Sequence, residues 1–160
     1  MPTLLVMRHA KSSWSTGLAD HERPLNGRGR RQAVAAGEWL AEHHPTIDRV
    51  LCSSSSRTRE TLERVRDGGV QIGTVTFHRD LYESTPTEAL GLLRGLDGEQ
   101  TVLLLGHYPG APMLVEMLDP ASPELDFVTS AIAALDIDGP WAAVGRGSGR
   151  LTSFVAPGRE

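Results

Sequence analysis

Short apolar runs alternate along this chain with segments of helical periodicity, and this alternation restricts the fold more than any other sequence feature. The apolar runs predict strands at residues 3–7, 49–52, 74–77, 101–105, 131–137 and 151–155. The periodic segments predict helices at residues 30–42, 57–66, 86–93 and 110–118. This order is typical of an α/β protein with three layers, α/β/α, around a mostly parallel, mixed central sheet. The run at 101–105 is nearly all apolar, which predicts a central strand.

Residues with capping preferences mark where several of these helices begin and end. Asn26 precedes the first helix and suits a turn or a cap, and Gly68 follows the second helix. Thr85 offers a capping hydroxyl three residues before Glu88, which is the spacing of a capping box. The glycine-rich segment at 145–149 does not match a dinucleotide fingerprint, and we predict a hairpin turn there between the last two strands.

Composition excludes several classes of function. The 160 residues suffice for one hydrophobic core, so we expect one domain spanning residues 1–160. The net charge of -4 argues against general nucleic-acid binding, and no segment approaches the roughly 18 apolar residues of a membrane span. Cys52 is the only cysteine, so no internal disulfide can form, which fits a reducing compartment. We therefore expect a cytoplasmic protein without membrane or nucleic-acid partners, and we expect it to be a monomer.

Polar residues of catalytic type follow three of the predicted strands. Arg8 and His9 follow the first strand, Arg57 follows the second strand after four serines, and His107 follows the strand at 101–105 after one glycine. In open α/β sheets, ligands bind outside the carboxyl ends of the strands. We therefore expect two arginines and two histidines to share one crevice.

Such a crevice suits a tetrahedral oxyanion, and phosphate is the obvious candidate. Arginine donates two parallel hydrogen bonds to phosphate oxygens and offsets the charge that would repel an attacking lone pair. A neutral imidazole is a capable nucleophile when one ring nitrogen is held as a donor and the other keeps its lone pair. A second imidazole can stabilise the equatorial oxygens of the transition state. This chemistry requires no metal and no cofactor.

The motifs at these positions resemble those of the histidine phosphatase superfamily, the phosphoglycerate mutase-like family. The resemblance rests, in matching chain order, on Arg8-His9, residues 23–27, residues 57–61 and Gly106-His107. It implies a phosphoglycerate mutase-like fold and a phosphatase in which His9 is the phosphorylated nucleophile. It also implies that Arg8 and Arg57 bind the phosphoryl oxygens and that His107 completes the pocket.

Within this superfamily the chain is most similar to the small bacterial phosphohistidine phosphatases of the SixA type. The likeness spans roughly residues 3 to 135 and includes the segments at 23–25 and 130–133. It implies that Arg23 is a further phosphate ligand. We also assign Ser12 to substrate binding.

The proton donor for the leaving group stays open between three alternatives. An ester phosphatase needs a carboxylic acid near the nucleophile. Glu83, after the third strand, is the first candidate, and Asp20, in the loop after His9, is the second. A phosphohistidine substrate relaxes this demand because its phosphorus-nitrogen bond is labile, so the third alternative is that no acid is used.

The predicted substrate follows from the room around the site. The stretch between Arg57 and Glu83 is short and mostly taken up by one helix and one strand, which leaves no space for the helical segments that cover the site in larger relatives. An open pocket admits a phosphorylated protein side chain, so we predict that the substrate is phosphohistidine in a protein. We also expect Trp14 to line the rim of this pocket. A small phosphomonoester is the nearest alternative. A module that binds phosphorylated partners without turnover is the third.

Two other kinds of site fit the sequence less well. Cys52 and Arg57 are separated by four residues, whereas the cysteine phosphatase loop has five, so we expect Cys52 to be a buried thiol. The histidines lack a third ligand at helical spacing such as HExxH, so we do not expect a zinc site.

Overall fold

The computed structural model describes residues 1–158, which form a six-stranded mixed sheet between two layers of helices. The strands are β1 (Thr3–Arg8), β2 (Thr46–Ser53), β3 (Gln71–His78), β4 (Thr101–Gly106), β5 (Ile132–Ile137) and β6 (Gly149–Val155). The helices are α1 (Gly27–His43), α2 (Ser56–Asp67), α3 (Pro86–Leu93) and α4 (Gly110–Leu118). The predicted three-layer α/β/α fold with a mostly parallel sheet is confirmed.

The strand order is β3-β2-β4-β1-β5-β6. The first four strands of this order run parallel to one another, and β5 is antiparallel to both of its neighbours. β4 lies between β2 and β1, in the central position that its apolar sequence predicts. In the register of β1 and β4, Arg8 is paired with Gly106. The segments that follow these two strands therefore leave the sheet side by side.

Both faces of the sheet are covered because buried residues alternate along the central strands. Leu4 and Val6 of β1 pack in the cluster that includes α3 and α4, whereas Leu5 and Met7 pack in the cluster that includes α1 and α2. β1 is thus apolar on both faces, which is the pattern of a strand buried in a parallel sheet.

The sequence signals for helix ends are confirmed. The Asn26 side chain accepts a hydrogen bond from the backbone N–H of Gly29 at 2.8 Å, and Thr85 and Glu88 form a complete capping box at the start of α3. The predicted hairpin turn is only partly right. β5 and β6 are antiparallel neighbours, but their connection contains a 3-10 helix at Trp141–Ala143, whose buried indole donates to the carbonyl oxygen of Glu99. Within residues 1–158, no helix is long and apolar enough to cross a membrane.

Candidate active site

The residues predicted from the strand ends converge on one pocket of about 370 Å³. Arg8 and His9 come from the end of β1, Arg57 from the first turn of α2, and His107 from the segment after β4. The pocket lining includes every residue that the sequence assigns to the site: Arg8, His9, Ser12, Arg23, Arg57, Glu83 and His107.

The backbone of His9 is held from both sides. Its N–H donates to the carbonyl oxygen of Gly106 at 2.9 Å, and its own carbonyl oxygen accepts from the N–H of Ser130 at 3.0 Å. Ser130 is fully buried and has a φ of 67°, a left-handed conformation that is uncommon outside glycine. The nucleophile candidate is therefore anchored between β4 and the segment that leads into β5.

The His9 ring is buried in one tautomer. Its Nδ1 atom lies 2.6 Å from the carbonyl oxygen of Ala10. A carbonyl oxygen only accepts, so Nδ1 carries the proton and Nε2 keeps its lone pair. Burial lowers the pKa of His9 to about 3. The hydrogen bond to Ala10 opposes this effect, and the positive charges of Arg57 and Arg8 act with it. His9 is thus a neutral imidazole at neutral pH, as nucleophilic attack requires.

A buried relay ties the loop after His9 to α2. The backbone N–H of Ala10 donates to the Thr61 hydroxyl at 3.1 Å, and that hydroxyl donates to the carbonyl oxygen of Arg57 at 2.7 Å. α1 also packs closely on this loop, since a Cβ atom at Gly29 would lie 1.9 Å from the carbonyl oxygen of Lys11. The glycine at position 29 is therefore required by the close approach of two backbones.

The second histidine faces the first across the pocket. The ring centroids of His107 and His9 are 5.2 Å apart, and Nε2 of His107 lies 2.8 Å from the hydroxyl oxygen of Ser53 at the end of β2. Burial lowers the pKa of His107 to about 4, Arg57 lowers it further, and Asp20 opposes these effects. Without an added anion, both imidazoles are neutral at neutral pH.

Asp20 pairs with two of the predicted phosphate ligands. Arg57 donates to its backbone oxygen at 2.7 Å and to Oδ2 at 3.1 Å, and Nε of Arg23 donates to Oδ1 at 3.0 Å. The Tyr82 hydroxyl also donates to Oδ2. The hydrogen bonds from Tyr82, Arg23 and Arg57 hold the pKa of Asp20 well below its usual range. Asp20 is therefore an anion, which argues against it as the proton donor.

Arg23 is oriented by its neighbours. It is 6 % exposed, and one terminal nitrogen donates to the Ser12 hydroxyl at 2.8 Å and to the carbonyl oxygen of Ser13 at 3.0 Å. Its guanidinium carbon lies 3.6 Å from the centroid of the Trp14 ring, which is itself 80 % exposed. Trp14 lies at the rim, as the sequence predicts, and Ser12 contacts Arg23.

The arginines leave donors without acceptors. Arg8 donates from one terminal nitrogen to the carbonyl oxygen of Phe127 at 3.0 Å. The Nε atoms of both Arg8 and Arg57 are buried and have no hydrogen-bond acceptor among residues 1–158. Buried donors without partners are unfavourable. The positive charge of the pocket comes from three arginines that line it, Arg8, Arg23 and Arg57, and this charge favours an anion.

Glu83 lines the same pocket but stands apart from this network. It is exposed, and within the described part of the chain it makes no hydrogen bond or ion pair. Its position leaves it available to a bound ligand. Of the two carboxyl candidates for the proton donor, Glu83 is therefore the one that is not paired with the arginines of the pocket.

Sequence reasoning missed several residues that shape the site. Ser53 contacts His107, Tyr82 contacts Asp20, and the backbone of Ser130 holds His9. Ser53 is the first of a run of serines, and Tyr82 directly precedes Glu83, so neighbouring motifs could have drawn attention to both. A left-handed conformation at Ser130 has no signature in the sequence.

The alternative chemistry at Cys52 receives no support. Cys52 is fully buried in the core cluster of β2, its thiol donates to the carbonyl oxygen of Ser53, and it does not line the pocket. Burial raises the pKa of this thiol to about 12, so it stays protonated and is not nucleophilic. Among residues 1–158, no group of three histidine, cysteine or carboxylate side chains is placed to hold a metal ion.

Comparison with known proteins places this geometry in a family. Residues 4–93 match the model of the histidine phosphatase superfamily, branch 1. The uncharacterised protein Rv1276c of Mycobacterium tuberculosis is 37 % identical over 94 % of this chain and 99 % of its own length. The phosphohistidine phosphatase SixA of Escherichia coli is 30 % identical over 84 % of this chain and 85 % of its own length.

A solved structure extends the likeness to three dimensions. The protein histidine phosphatase SixA in complex with tungstate superposes with a TM-score of 0.85 at 27 % sequence identity, covering 97 % of each chain. The matched model, the related sequences and the shared fold all indicate the same family. The chain belongs to the histidine phosphatase superfamily and is a phosphatase.

Proposed function

We propose that this phosphatase removes the phosphoryl group from phosphohistidine in a protein, through a covalent phosphohistidine intermediate on His9. One observation carries the proposal: a buried, neutral imidazole whose Nδ1 proton is held by Ala10 lies in a pocket lined by Arg8, Arg23 and Arg57. This arrangement presents a lone pair to an anion whose charge the arginines offset.

In the first step, Nε2 of His9 attacks phosphorus, and the bond between phosphorus and the substrate nitrogen breaks. The departing imidazole takes a proton from solvent or from Glu83. Arg8 and Arg57 stabilise the charge on the transferring phosphoryl group. The hydrogen bond from Nδ1 to Ala10 strengthens as His9 gains positive character, because the carbonyl oxygen faces the proton of a developing cation.

In the second step, a water molecule attacks the phosphorus bound to His9. The bond between phosphorus and Nε2 breaks, inorganic phosphate leaves, and the proton lost by water passes to solvent or to Glu83. His107, held by Ser53, lies close enough to His9 to contact the phosphoryl oxygens in both steps. The phosphoryl dianion raises the pKa of His107, which favours the protonated form of this imidazole when the substrate binds.

Three observations support a phosphohistidine substrate. The stretch between Arg57 and Glu83 contains only α2, β3 and a short 3-10 helix, so no helical segment within it covers the pocket. Asp20 is ionised, and Glu83 is an exposed carboxyl without partners among residues 1–158, so the site lacks a firmly positioned acid. The similar protein of Escherichia coli is named a phosphohistidine phosphatase, and the similar protein histidine phosphatase SixA was solved with tungstate, which is a tetrahedral oxyanion like phosphate.

A small phosphomonoester is the second candidate substrate, and Glu83 is the observation that favours it. A phosphate ester needs a proton on its departing oxygen. Glu83 lines the phosphoryl pocket and has no competing partner in the described part of the chain, so it can supply that proton. The same nucleophile and the same arginines would serve both substrates.

The test is to incubate the protein with a phosphohistidine protein and, separately, with a chromogenic phosphomonoester. We expect faster release of phosphate from the phosphohistidine protein. Samples quenched in alkali during turnover, which preserves phosphohistidine, should show by mass spectrometry one phosphate on His9. Turnover without any phosphate on His9 would exclude the covalent route, and tight binding of the phosphoprotein without turnover would favour a binding module.

A further inference from the structure

A second pocket, of about 280 Å³, adjoins the phosphoryl pocket. The two pockets share four lining residues: Tyr82, Glu83, His107 and Tyr108. A molecule whose phosphoryl group lies against His9 therefore reaches the second pocket directly past these side chains.

The interior of the second pocket is apolar. Its lining includes Leu81, Ala89, Leu104, Ala111 and Leu114, each of which is at most 3 % exposed. An apolar cavity of about 150 Å³ is large enough to bind benzene. The pocket here is larger, so it has room for an aromatic ring or a branched aliphatic side chain.

Glu83 relates this pocket to the leaving group of the reaction. A group that donates a proton must lie beside the departing atom, and Glu83 lines both pockets. The atoms that follow the departing atom in the substrate are then next to the apolar lining. We propose that this pocket is a subsite for an apolar group, aromatic or branched aliphatic, that the substrate carries close to its phosphorylated atom.

The proposal rests on the proposed function in two respects, because it takes the pocket at His9 as the phosphoryl site and Glu83 as the group beside the departing atom. The apolar group has two possible sources, which share this chemistry. It is either a side chain that neighbours phosphohistidine in a protein or the organic part of a small phosphomonoester. Burying such a group raises affinity through the area that it removes from water.

Ala89 offers a way to fill the pocket from α3. A leucine at this position keeps helix propensity and projects additional methyl groups into the space. Gly91 provides the matched control, because it lies on the same helix, is exposed, and faces open space where a side chain would begin. Ala89→Leu and Gly91→Leu thus add the same side chain inside and outside the subsite.

The binding test uses two phosphonates that cannot be hydrolysed, benzylphosphonate and methylphosphonate, measured by titration calorimetry. The wild-type protein should bind benzylphosphonate about tenfold or more tightly than methylphosphonate. Ala89→Leu should lose this preference and keep its affinity for methylphosphonate, which also shows that the variant is folded. Gly91→Leu should keep the preference.

The outcomes separate the subsite from the phosphoryl site. Binding of methylphosphonate without any preference for benzylphosphonate would overturn the subsite alone. If neither phosphonate bound the wild-type protein, the phosphoryl site would be wrong and the subsite would fall with it. A preference that survives in Ala89→Leu would also overturn the assignment of this pocket.

Turnover then distinguishes the two sources of the apolar group. Both arms compare kcat/KM of Ala89→Leu with that of the wild-type protein. The first arm uses phosphohistidine peptides that carry phenylalanine or alanine beside the phosphorylated residue. The second arm uses phenyl phosphate and methyl phosphate. A drop in kcat/KM of Ala89→Leu confined to the phenylalanine peptide would assign the subsite to a protein side chain. A drop confined to phenyl phosphate would assign it to a small ester, and no drop in either arm would contradict the proposal.

Discussion

The Nδ1 atom of His9 lies 2.6 Å from the carbonyl oxygen of Ala10, and this contact determines which nitrogen of the imidazole keeps its lone pair. The acceptor belongs to the next residue in the chain, so the tautomer is set by the local backbone and not by a distant side chain. Because the N–H of Ala10 is in turn held by Thr61, the orientation of the nucleophile depends on the packing of α2 against the loop after β1.

Replacing the nucleophile tests the assignment of His9. We expect His9→Ala to lower kcat/KM by at least ~10⁴-fold, because the covalent route is lost while the arginines still bind substrate. The matched control is Cys52→Ser, which changes a fully buried thiol outside the pocket and should leave kcat/KM nearly unchanged. If Cys52→Ser abolished turnover and His9→Ala did not, the assignment would be reversed.

The buried neutral imidazole makes stability depend on pH. The pKa of His9 is about 3 in the folded protein, against an ordinary value of 6.5. Between these two values the unfolded chain binds a proton that the folded chain does not, so stability decreases as pH falls through this window. From pH 7.5 to pH 5, the free energy of unfolding should fall by about 2 kcal/mol on account of His9.

Urea denaturation at pH 7.5 and pH 5 measures this effect. The decrease in the free energy of unfolding between pH 7.5 and pH 5 should be smaller in His9→Asn, which cannot take up the proton. The decrease should be the same as in the wild-type protein in His43→Asn, because His43 is exposed at the end of α1. The comparison is between pH dependences, so a difference in stability at pH 7.5 does not affect it. An identical pH dependence in His9→Asn and the wild-type protein would contradict the prediction.

Asp20 competes with phosphate for the arginines of the pocket. Its carboxylate contacts Arg23 and Arg57, the same groups that we expect to bind the phosphoryl oxygens. We expect Asp20→Asn to bind inorganic phosphate about threefold to tenfold more tightly, because the neutral amide releases both guanidinium groups. The inhibition constant of phosphate in a turnover assay gives the measurement.

Glu22→Gln is the control for Asp20→Asn. Glu22 lies in the same 3-10 helix and pairs with His21, not with the arginines of the pocket. The Glu22→Gln substitution removes the same charge as Asp20→Asn, so any general electrostatic effect on phosphate binding appears in both variants. Weaker phosphate binding in Asp20→Asn would show instead that Asp20 holds the arginines in their binding positions.

The architecture and most of the site were predictable because both depend on local sequence. Apolar runs specify strands, capping residues specify helix ends, and the residue after a parallel strand lies at a known edge of the sheet. These rules bring Arg8, His9, Arg57 and His107 together without any knowledge of packing. The strands β2 and β3 begin earlier than predicted. Their first halves carry one apolar residue each, Ile47 and Ile72, which is too little for an apolar run, and backbone pairing such as that between Thr46 and Gln71 extends them.

The remaining features of the site depend on contacts between distant segments. The pairing of Asp20 with Arg57 and Tyr82 joins residues from three separate parts of the chain, and no spacing rule connects them. The left-handed backbone of Ser130 is imposed by its surroundings, since serine has no intrinsic preference for it. The apolar pocket beside His107 is the space left between α3, α4 and β4, and such a space is visible only once the elements are packed.

Thr61 is predicted to support both stability and the geometry of the nucleophile. Thr61→Val is close in shape but leaves the buried N–H of Ala10 without its acceptor, so the free energy of unfolding should fall by about 1–3 kcal/mol. Thr61→Val should also lower kcat, because the loop that holds His9 loses its contact with α2. Thr61→Ser keeps the hydroxyl and should therefore retain most of the wild-type kcat, although it removes a methyl group. Urea denaturation and turnover of the two variants check this, and equal kcat in Thr61→Val and the wild-type protein would show that the relay does not position His9.

Glu83→Gln tests whether a carboxyl group protonates the leaving group. If Glu83 is the proton donor, kcat for an alkyl phosphate should fall by about 10²-fold or more, because the departing alkoxide is a poor leaving group without a proton. Turnover of a phosphohistidine substrate should change little, since imidazole leaves readily after protonation by solvent. The matched control is Glu88→Gln, which changes a carboxylate of the α3 capping box outside the pocket. Equal losses for both substrates in Glu83→Gln would mean that Glu83 contributes to binding or structure, and no loss for either would leave solvent as the proton source.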